Sequence, residues 1–139
     1  KRLAEAQPPI GVCYLDLDGF KEINDLWGHM VGDRVLQIVA DRMRDAVRPD
    51  EALAARIGGD EFLVLVENCS GEAQLARLVD KLLSVLTEPL EVDGHVLAVG
   101  ASIGAAFFEQ LPSAVDELVH AADAAMYRNK NDARRDPAR

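Results

Sequence analysis

The chain has 139 residues, of which 49% are hydrophobic and 28% are charged, and this composition is typical of one globular domain rather than a disordered segment. Its 24 acidic residues outnumber its 15 basic residues and give a formal net charge of -9. So acidic a surface argues against a nucleic-acid partner, because neutralisation of backbone phosphates supplies most of that affinity. It leaves room for a small phosphate ligand held by a local basic cluster or a metal.

No stretch of the sequence approaches the roughly 20 apolar residues that span a bilayer, so we expect no membrane segment. Cys13 and Cys69 are far apart and form no CxxC pattern. We therefore expect free thiols and a reducing, cytoplasmic location. We expect residues 1–9 and 135–139 to be linkers around a domain at 10–134, as in a piece of a longer protein.

The N-terminal half begins with a short apolar run, Ile10–Leu17, that ends in acids and predicts a buried strand. A short helix over residues 20–26 is expected next, with a break at Gly28. A longer amphipathic helix then follows Asp33, because apolar residues recur from there at the spacing of one helix face.

Two more strands are predicted at residues 52–57 and 62–66. Gly58 and Gly59 lie between them and predict a hairpin turn, because glycine accepts a positive φ.

The C-terminal half predicts an amphipathic helix over residues 75–86, a turn near Asp93, a strand at 97–107 and a last helix. The order β-α-β-β-α-β-α begins with the split βαβ motif. We predict an α+β fold, an α/β sandwich with a mainly antiparallel central sheet, flanking helices, and the first helices on one face.

Three carboxylates are candidates for chemistry. Asp16 ends the first strand, and Asp60 and Glu61 lie at the hairpin tip. Because the first strand and the hairpin are sheet neighbours in a split βαβ fold, these acids can converge on a hard cation such as Mg²⁺. The alternative is that Asp60 and Glu61 form a solvated hairpin tip.

Three further groups could bind a nucleotide. The turn Asp18–Lys21 could present backbone N–H groups to a phosphate, although it could equally be an ordinary strand-to-helix turn. Asn24 and Asp33 together match a guanine edge, although Asp33 could instead cap a helix. Lys130 and Arg134 are four residues apart and share a helix face if the last helix continues that far, although such a pair could also be only a solvated basic end.

The five residues 58–62 (GGDEF) spell the signature of GGDEF domains, the diguanylate cyclases. Other segments resemble the family in the same order, namely residues 16–25 (DLDGFKEIND), 28–33 (GHMVGD), 101–106 (ASIGAA) and 121–127 (AADAAMY) with Lys130. The resemblance runs from Ile10 to Arg134.

This resemblance implies a palm-like or nucleotidyl-cyclase-like domain that condenses two GTP into cyclic di-GMP and releases pyrophosphate. A 3′-hydroxyl would attack an α-phosphate across a homodimer of half-sites. The implied ligands of Mg²⁺ or Mn²⁺ are Asp16, the carbonyl of Leu17, and Asp60. Glu61 would be a second metal ligand or would help to deprotonate the hydroxyl.

The resemblance also implies nucleotide contacts. Gly58 and Gly59 would let the nucleotide approach the hairpin, and Asn24 and Asp33 would read guanine. The implied phosphate contacts are the backbone of Asp18, Gly19, Phe20 and Lys21, and the side chains of Lys130 and Arg134.

The chain departs from the family pattern at two places. The usual product-inhibition pair would fall at positions 49 and 52, which hold Pro49 and Ala52, so we predict that this inhibitory site is absent. Ala133 and Arg135 replace the usual Gly and Asn around Arg134. An alternative to catalysis is a non-catalytic GTP-binding module that controls an adjacent EAL phosphodiesterase domain. In either case sensor or EAL domains are expected elsewhere in a full-length protein.

Overall fold

The computed structural model describes residues 5–47 and 52–135, and all their side chains except those of Val115 and residues 129–135. These residues form six strands and four helices. The strands are Ile10–Asp18 (β1), Ala52–Gly58 (β2), Glu61–Val66 (β3), Leu90–Val92 (β4), His95–Leu97 (β5) and Gly100–Phe108 (β6). The helices are Phe20–Trp27 (α1), His29–Ala46 (α2), Glu72–Leu86 (α3) and Val115–Arg135 (α4).

The central sheet has four strands in the order β2-β3-β1-β6, and every neighbouring pair is antiparallel. β4 and β5 form a separate two-stranded hairpin. The predicted α+β class with a mainly antiparallel central sheet is therefore confirmed. β1 lies between β3 and β6, so its C-terminal end borders both strands.

Each face of the sheet carries its own apolar cluster. Cys13, Leu15 and Leu17 of β1 pack with α1, α2 and α3 in the larger cluster. Val12 and Tyr14, which alternate with them along the strand, pack with α4 in the smaller one. The first helices share one face as predicted, whereas α4 covers the other.

The contact between β6 and α4 is unusually close at Gly104. A Cβ on Gly104 would lie 2.0 Å from the carbonyl oxygen of Ala122 and 2.2 Å from the backbone nitrogen of Met126. Only glycine lets the two backbones approach this far.

Two boundaries differ from the sequence prediction. α2 begins at His29, so Asp33 is an internal residue of the helix and not its N-cap. Gly28, with φ 91°, supplies the break between α1 and α2. The predicted strand at 97–107 is divided, because Leu97 ends β5 and β6 begins only at Gly100. Among the described residues, no helix is both long and apolar enough to cross a bilayer.

Candidate active site

The register of β1 against β3 brings the acids of the sequence motif together. Asp16 lies directly opposite Glu61 in the antiparallel pair. One residue further on, the backbone N–H of Leu17 donates to the carbonyl oxygen of Asp60 at 3.2 Å. The end of β1 and the turn after β2 therefore form one edge, and Asp16, Asp60 and Glu61 are all half-buried there.

Asp16 lies close enough to Asp60 to affect the ionisation of Asp60. Burial, followed by the negative charge of Asp16 and a side-chain hydrogen bond with it, raises the pKa of Asp60 above its ordinary value. Two carboxylates held this close gain if a cation lies between them.

Glu61 is held by a residue that sequence reasoning missed. The hydroxyl of Tyr14 donates a hydrogen bond to Oε2 of Glu61 at 2.5 Å. Burial, this hydrogen bond and the charge of Glu61 raise the pKa of Tyr14, with smaller effects from Asp123 and Asp16. A tyrosine inside an apolar strand is read from sequence as a core residue, and only the strand register indicates its partner.

The turn between β2 and β3 is fixed by backbone geometry and one arginine. Gly59 has φ 40°, a conformation that other residues rarely adopt. Arg56 donates from Nε to the carbonyl oxygen of Gly59 at 2.8 Å. A Cβ on Gly58 or Gly59 would meet no other described atom within 4 Å, so both glycines face open space.

The turn between β1 and α1 is held from the side by β6. Ser102 donates from Oγ to the carboxylate of Asp18, at 2.9 Å to Oδ1 and 2.8 Å to Oδ2. Gly19 follows with φ 79°, and no described side chain caps the N-terminus of α1. The first backbone N–H groups at Phe20 and Lys21 therefore start a helix whose dipole favours an anion.

The predicted base-reading pair lies on adjacent helices. Asn24 of α1 is half-buried, and its Oδ1 would lie 1.8 Å from a Cβ on Gly32, so glycine at 32 is required for Asn24 to pack there. Asp33 is the next residue of α2 and is exposed. The importance of Gly32 could not be inferred without knowing that α1 packs on α2.

The other predicted phosphate contacts, Lys130 and Arg134, belong to α4, but their side chains lie outside the described part of the chain. Pro49, of the predicted missing inhibitory pair, also lies outside the described residues.

The donor set suits a magnesium ion that shares its coordination with a substrate. Among the described residues, no three His, Cys, Asp or Glu side chains group closely enough to hold a metal by themselves. Mg²⁺ is usually bound by one or two carboxylates, with waters and substrate phosphates completing its octahedron. The half-buried pair Asp16 and Asp60 could meet that requirement, because a cation would relieve the repulsion between the two carboxylates.

Comparisons with known proteins show the family to which the chain belongs. The profile of the family "Diguanylate cyclase, GGDEF domain" matches residues 1–136, so the chain belongs to the GGDEF family. It is 42% identical over 123 residues to MucR of Pseudomonas aeruginosa, a bifunctional diguanylate cyclase/cyclic di-GMP phosphodiesterase, covering 88% of this chain and 18% of MucR. The crystal structure of the GGDEF domain of TpbB from the same organism superposes with TM-score 0.81 at 37% identity, covering 88% of this chain and 76% of that one.

Relatives named for the opposite reaction also match. The chain is 38% identical over 125 residues to PdeR of Escherichia coli, named a cyclic di-GMP phosphodiesterase, covering 90% of this chain and 19% of PdeR. The chain spans less than a third of the length of these curated relatives, which carry further segments.

Proposed function

We propose that this domain is a diguanylate cyclase that condenses two GTP molecules into cyclic di-GMP and releases two pyrophosphates. The observation that carries the proposal is the convergence of Asp16 and Asp60 beside the glycine turn of a GGDEF domain. Members of this family that catalyse the reaction generally require a metal. Mg²⁺ or Mn²⁺, when bound, would polarise the α-phosphate and help to ionise the attacking 3′-hydroxyl.

The chain's own residues would position the substrate. Asp16, Asp60 and the carbonyl of Leu17 would hold the metal, and Glu61 would be a further ligand or would receive the proton of the hydroxyl. Phosphoryl transfer depends mainly on positioning and neutralisation of charge, so the half-buried setting of these acids supports this role.

The nucleotide would lie along the turn at Gly58 and Gly59, whose open side is compatible with a close ligand. Its phosphates would meet the backbone from Asp18 to Lys21, with Lys130 and Arg134 supplying positive charge. Asn24 and Asp33 would contact guanine.

Each domain would bind one GTP, so catalysis requires two copies to meet face to face as a homodimer. Cys13 and Cys69 are buried free thiols, which supports a reducing, cytoplasmic setting for the reaction.

A second candidate is a GTP-binding regulatory domain without cyclase activity. It is favoured by the similarity to PdeR, whose name describes a phosphodiesterase. In that role GTP binding here would control an EAL phosphodiesterase domain elsewhere in a longer protein. The intact Asp16, Asp60 and Glu61 favour the cyclase.

Incubation of the protein with GTP and Mg²⁺ over a range of protein concentrations, followed by chromatography, separates the two candidates. The cyclase predicts cyclic di-GMP and pyrophosphate, with specific activity rising with protein concentration because two half-sites must associate. Tight GTP binding without cyclic product at every concentration would contradict the cyclase and support the regulatory domain.

A further inference from the structure

Tyr14 is the polar member of an otherwise apolar set on the α4 face of the sheet. It is 7% exposed and packs in the cluster that contains Val12, Leu118 and Met126. A buried tyrosine needs a partner for its hydroxyl, because an unpaired polar group in an apolar cluster is costly. The identity of that partner therefore indicates what the residue does.

The strand register selects Glu61 as the partner. Tyr14 lies opposite Leu63 in the β1–β3 pair, which makes Glu61 its diagonal neighbour on the same face, within reach of an aromatic side chain. The distance from the hydroxyl to Oε2 is 2.5 Å, at the short end of the range for O–H···O hydrogen bonds. Tyr14 thus connects the core under α4 directly to an acid of the GGDEF signature.

This bond restricts the Glu61 side chain and occupies only one of its two oxygens. A glutamate on a half-exposed strand end would otherwise sample several rotamers. The same carboxylate lies close enough to Asp60 for its charge to raise the pKa of Asp60, so fixing Oε2 from the core side restrains an acid beside the edge that Asp16 and Asp60 share. Hydrogen bonds of this kind orient metal ligands in many proteins and hold them ready before the metal arrives.

We infer that Tyr14 is a positioning residue that holds the Glu61 carboxylate in the orientation used to bind the metal–nucleotide complex, an inference that rests on the proposed function. In this role Tyr14 would itself touch neither metal nor substrate. It acts through Glu61, so its effect on ligand binding depends on the carboxylate at position 61. A residue that served only to fill the core would affect stability but not that binding.

The test measures Mn²⁺ affinity by electron paramagnetic resonance in the presence of a GTP analogue with a methylene bridge between its α- and β-phosphates. We expect Tyr14→Phe, which removes only the hydroxyl, to weaken Mn²⁺ binding by about 10- to 100-fold. Tyr127→Phe is the matched control, because Tyr127 is the other tyrosine of the chain and is 66% exposed. The Tyr127→Phe variant should bind Mn²⁺ as tightly as the wild type. Equal Mn²⁺ affinities for the wild type, Tyr14→Phe and Tyr127→Phe would overturn the inference.

A double-mutant cycle tests whether Tyr14 acts through Glu61. In a Glu61→Gln background, Tyr14→Phe should change Mn²⁺ affinity by no more than about twofold, since the carboxylate that it orients is gone. An undiminished effect of Tyr14→Phe in that background would contradict positioning through Glu61.

A measurement on the wild type covers the case in which Tyr14→Phe does not fold. With ¹³Cζ-labelled tyrosine, the Tyr14 resonance should shift when Mg²⁺ and the analogue bind, while the Tyr127 resonance should not. A Tyr14 resonance that does not shift when Mg²⁺ and the analogue bind would overturn the inference. If the wild type binds Mn²⁺ and the analogue but makes no cyclic di-GMP from GTP, the proposed catalysis is wrong. The Mn²⁺ affinities and the Tyr14 resonance would then still decide whether Tyr14 positions Glu61.

Discussion

The two faces of the central sheet use the same strand for different purposes. On the face toward α2 and α3, β1 presents Cys13, Leu15 and Leu17, all buried in an apolar cluster. On the face toward α4, it presents Tyr14 and Asp16, which border Glu61 of the neighbouring strand. Both faces bury apolar residues that stabilise the fold, and the face toward α4 also arranges polar groups at its edge.

This difference follows from the two-residue repeat of a strand. Successive side chains alternate between faces, so a single nine-residue strand can supply core residues and site residues without compromise. Stability and chemistry should therefore be separable by mutation along β1 and its neighbours.

Leu15→Ala should lower the free energy of unfolding by about 2–5 kcal/mol, because it opens a cavity in the larger cluster. Leu15 is 0% exposed. The matched control is Leu53→Ala on β2, where the leucine is 54% exposed and the expected change is within about 0.5 kcal/mol. Urea denaturation of the three proteins measures both values. Equal losses in the two variants would show that burial of Leu15 in the larger cluster does not stabilise the fold.

Asp60→Asn should reduce cyclic di-GMP formation by about 100- to 1,000-fold, because it removes a carboxylate that positions charge at the reacting phosphate. Its folded structure should persist, since the amide replaces a half-buried acid of the same shape. Initial rates at saturating GTP and Mg²⁺, compared with the wild type, measure the effect. Turnover within a few-fold of the wild type would place the chemistry elsewhere.

Gly104→Ala should destabilise the chain by about 1–3 kcal/mol, because the new methyl group meets the backbone of α4, which cannot move aside easily. Gly11→Ala offers the comparison on the opposite face. There the added Cβ would lie 2.9 Å from Cδ1 of Leu75, the end of a flexible side chain. We expect a smaller loss of stability for Gly11→Ala than for Gly104→Ala. Thermal unfolding of both variants and the wild type measures the two losses. The reverse order would mean that α4 packs less rigidly on β6 than the structure indicates.

The pH dependence of stability should differ between the wild type and Asp60→Asn. The raised pKa of Asp60 means that folding favours its protonated form. That contribution is complete below the unfolded value of about 3.9 and is lost as the pH rises through the higher folded value. Without metal, Asp60→Asn should therefore gain stability relative to the wild type as the pH increases. Denaturation from acid to neutral pH measures this small difference, and a relative gain by the wild type would contradict the sign.

The sequence predicts the parts of this site that depend on local pattern. The apolar run ending at Asp16 and the glycine pair before Asp60 define two strand ends, and the split βαβ order makes them neighbours. The five-residue signature at 58–62 then indicates a single family. Alternation along β1 also follows from the sequence, although its two faces look alike in composition until the helices are assigned to them.

The remaining features depend on packing between distant segments. Asp33 follows a glycine and resembles a helix cap, yet α2 starts at His29 because Gly28 alone makes the break. The bond from Tyr14 to Glu61 requires the register of two strands. The demand for glycine at 32 and 104 arises only when α1 meets α2 and when α4 meets β6. Periodicity carries no information about such contacts.

The acids of β1 and of the glycine turn should bind one divalent metal together with a nucleotide. Crystals grown with Mn²⁺ and the methylene-bridged GTP analogue, measured at the manganese absorption edge, test it directly. We predict an anomalous peak at about 2 Å from a carboxylate oxygen of both Asp16 and Asp60, with nucleotide phosphate oxygens in the same coordination sphere. A peak that contacts neither carboxylate, or nucleotide bound away from Gly59, would contradict the account.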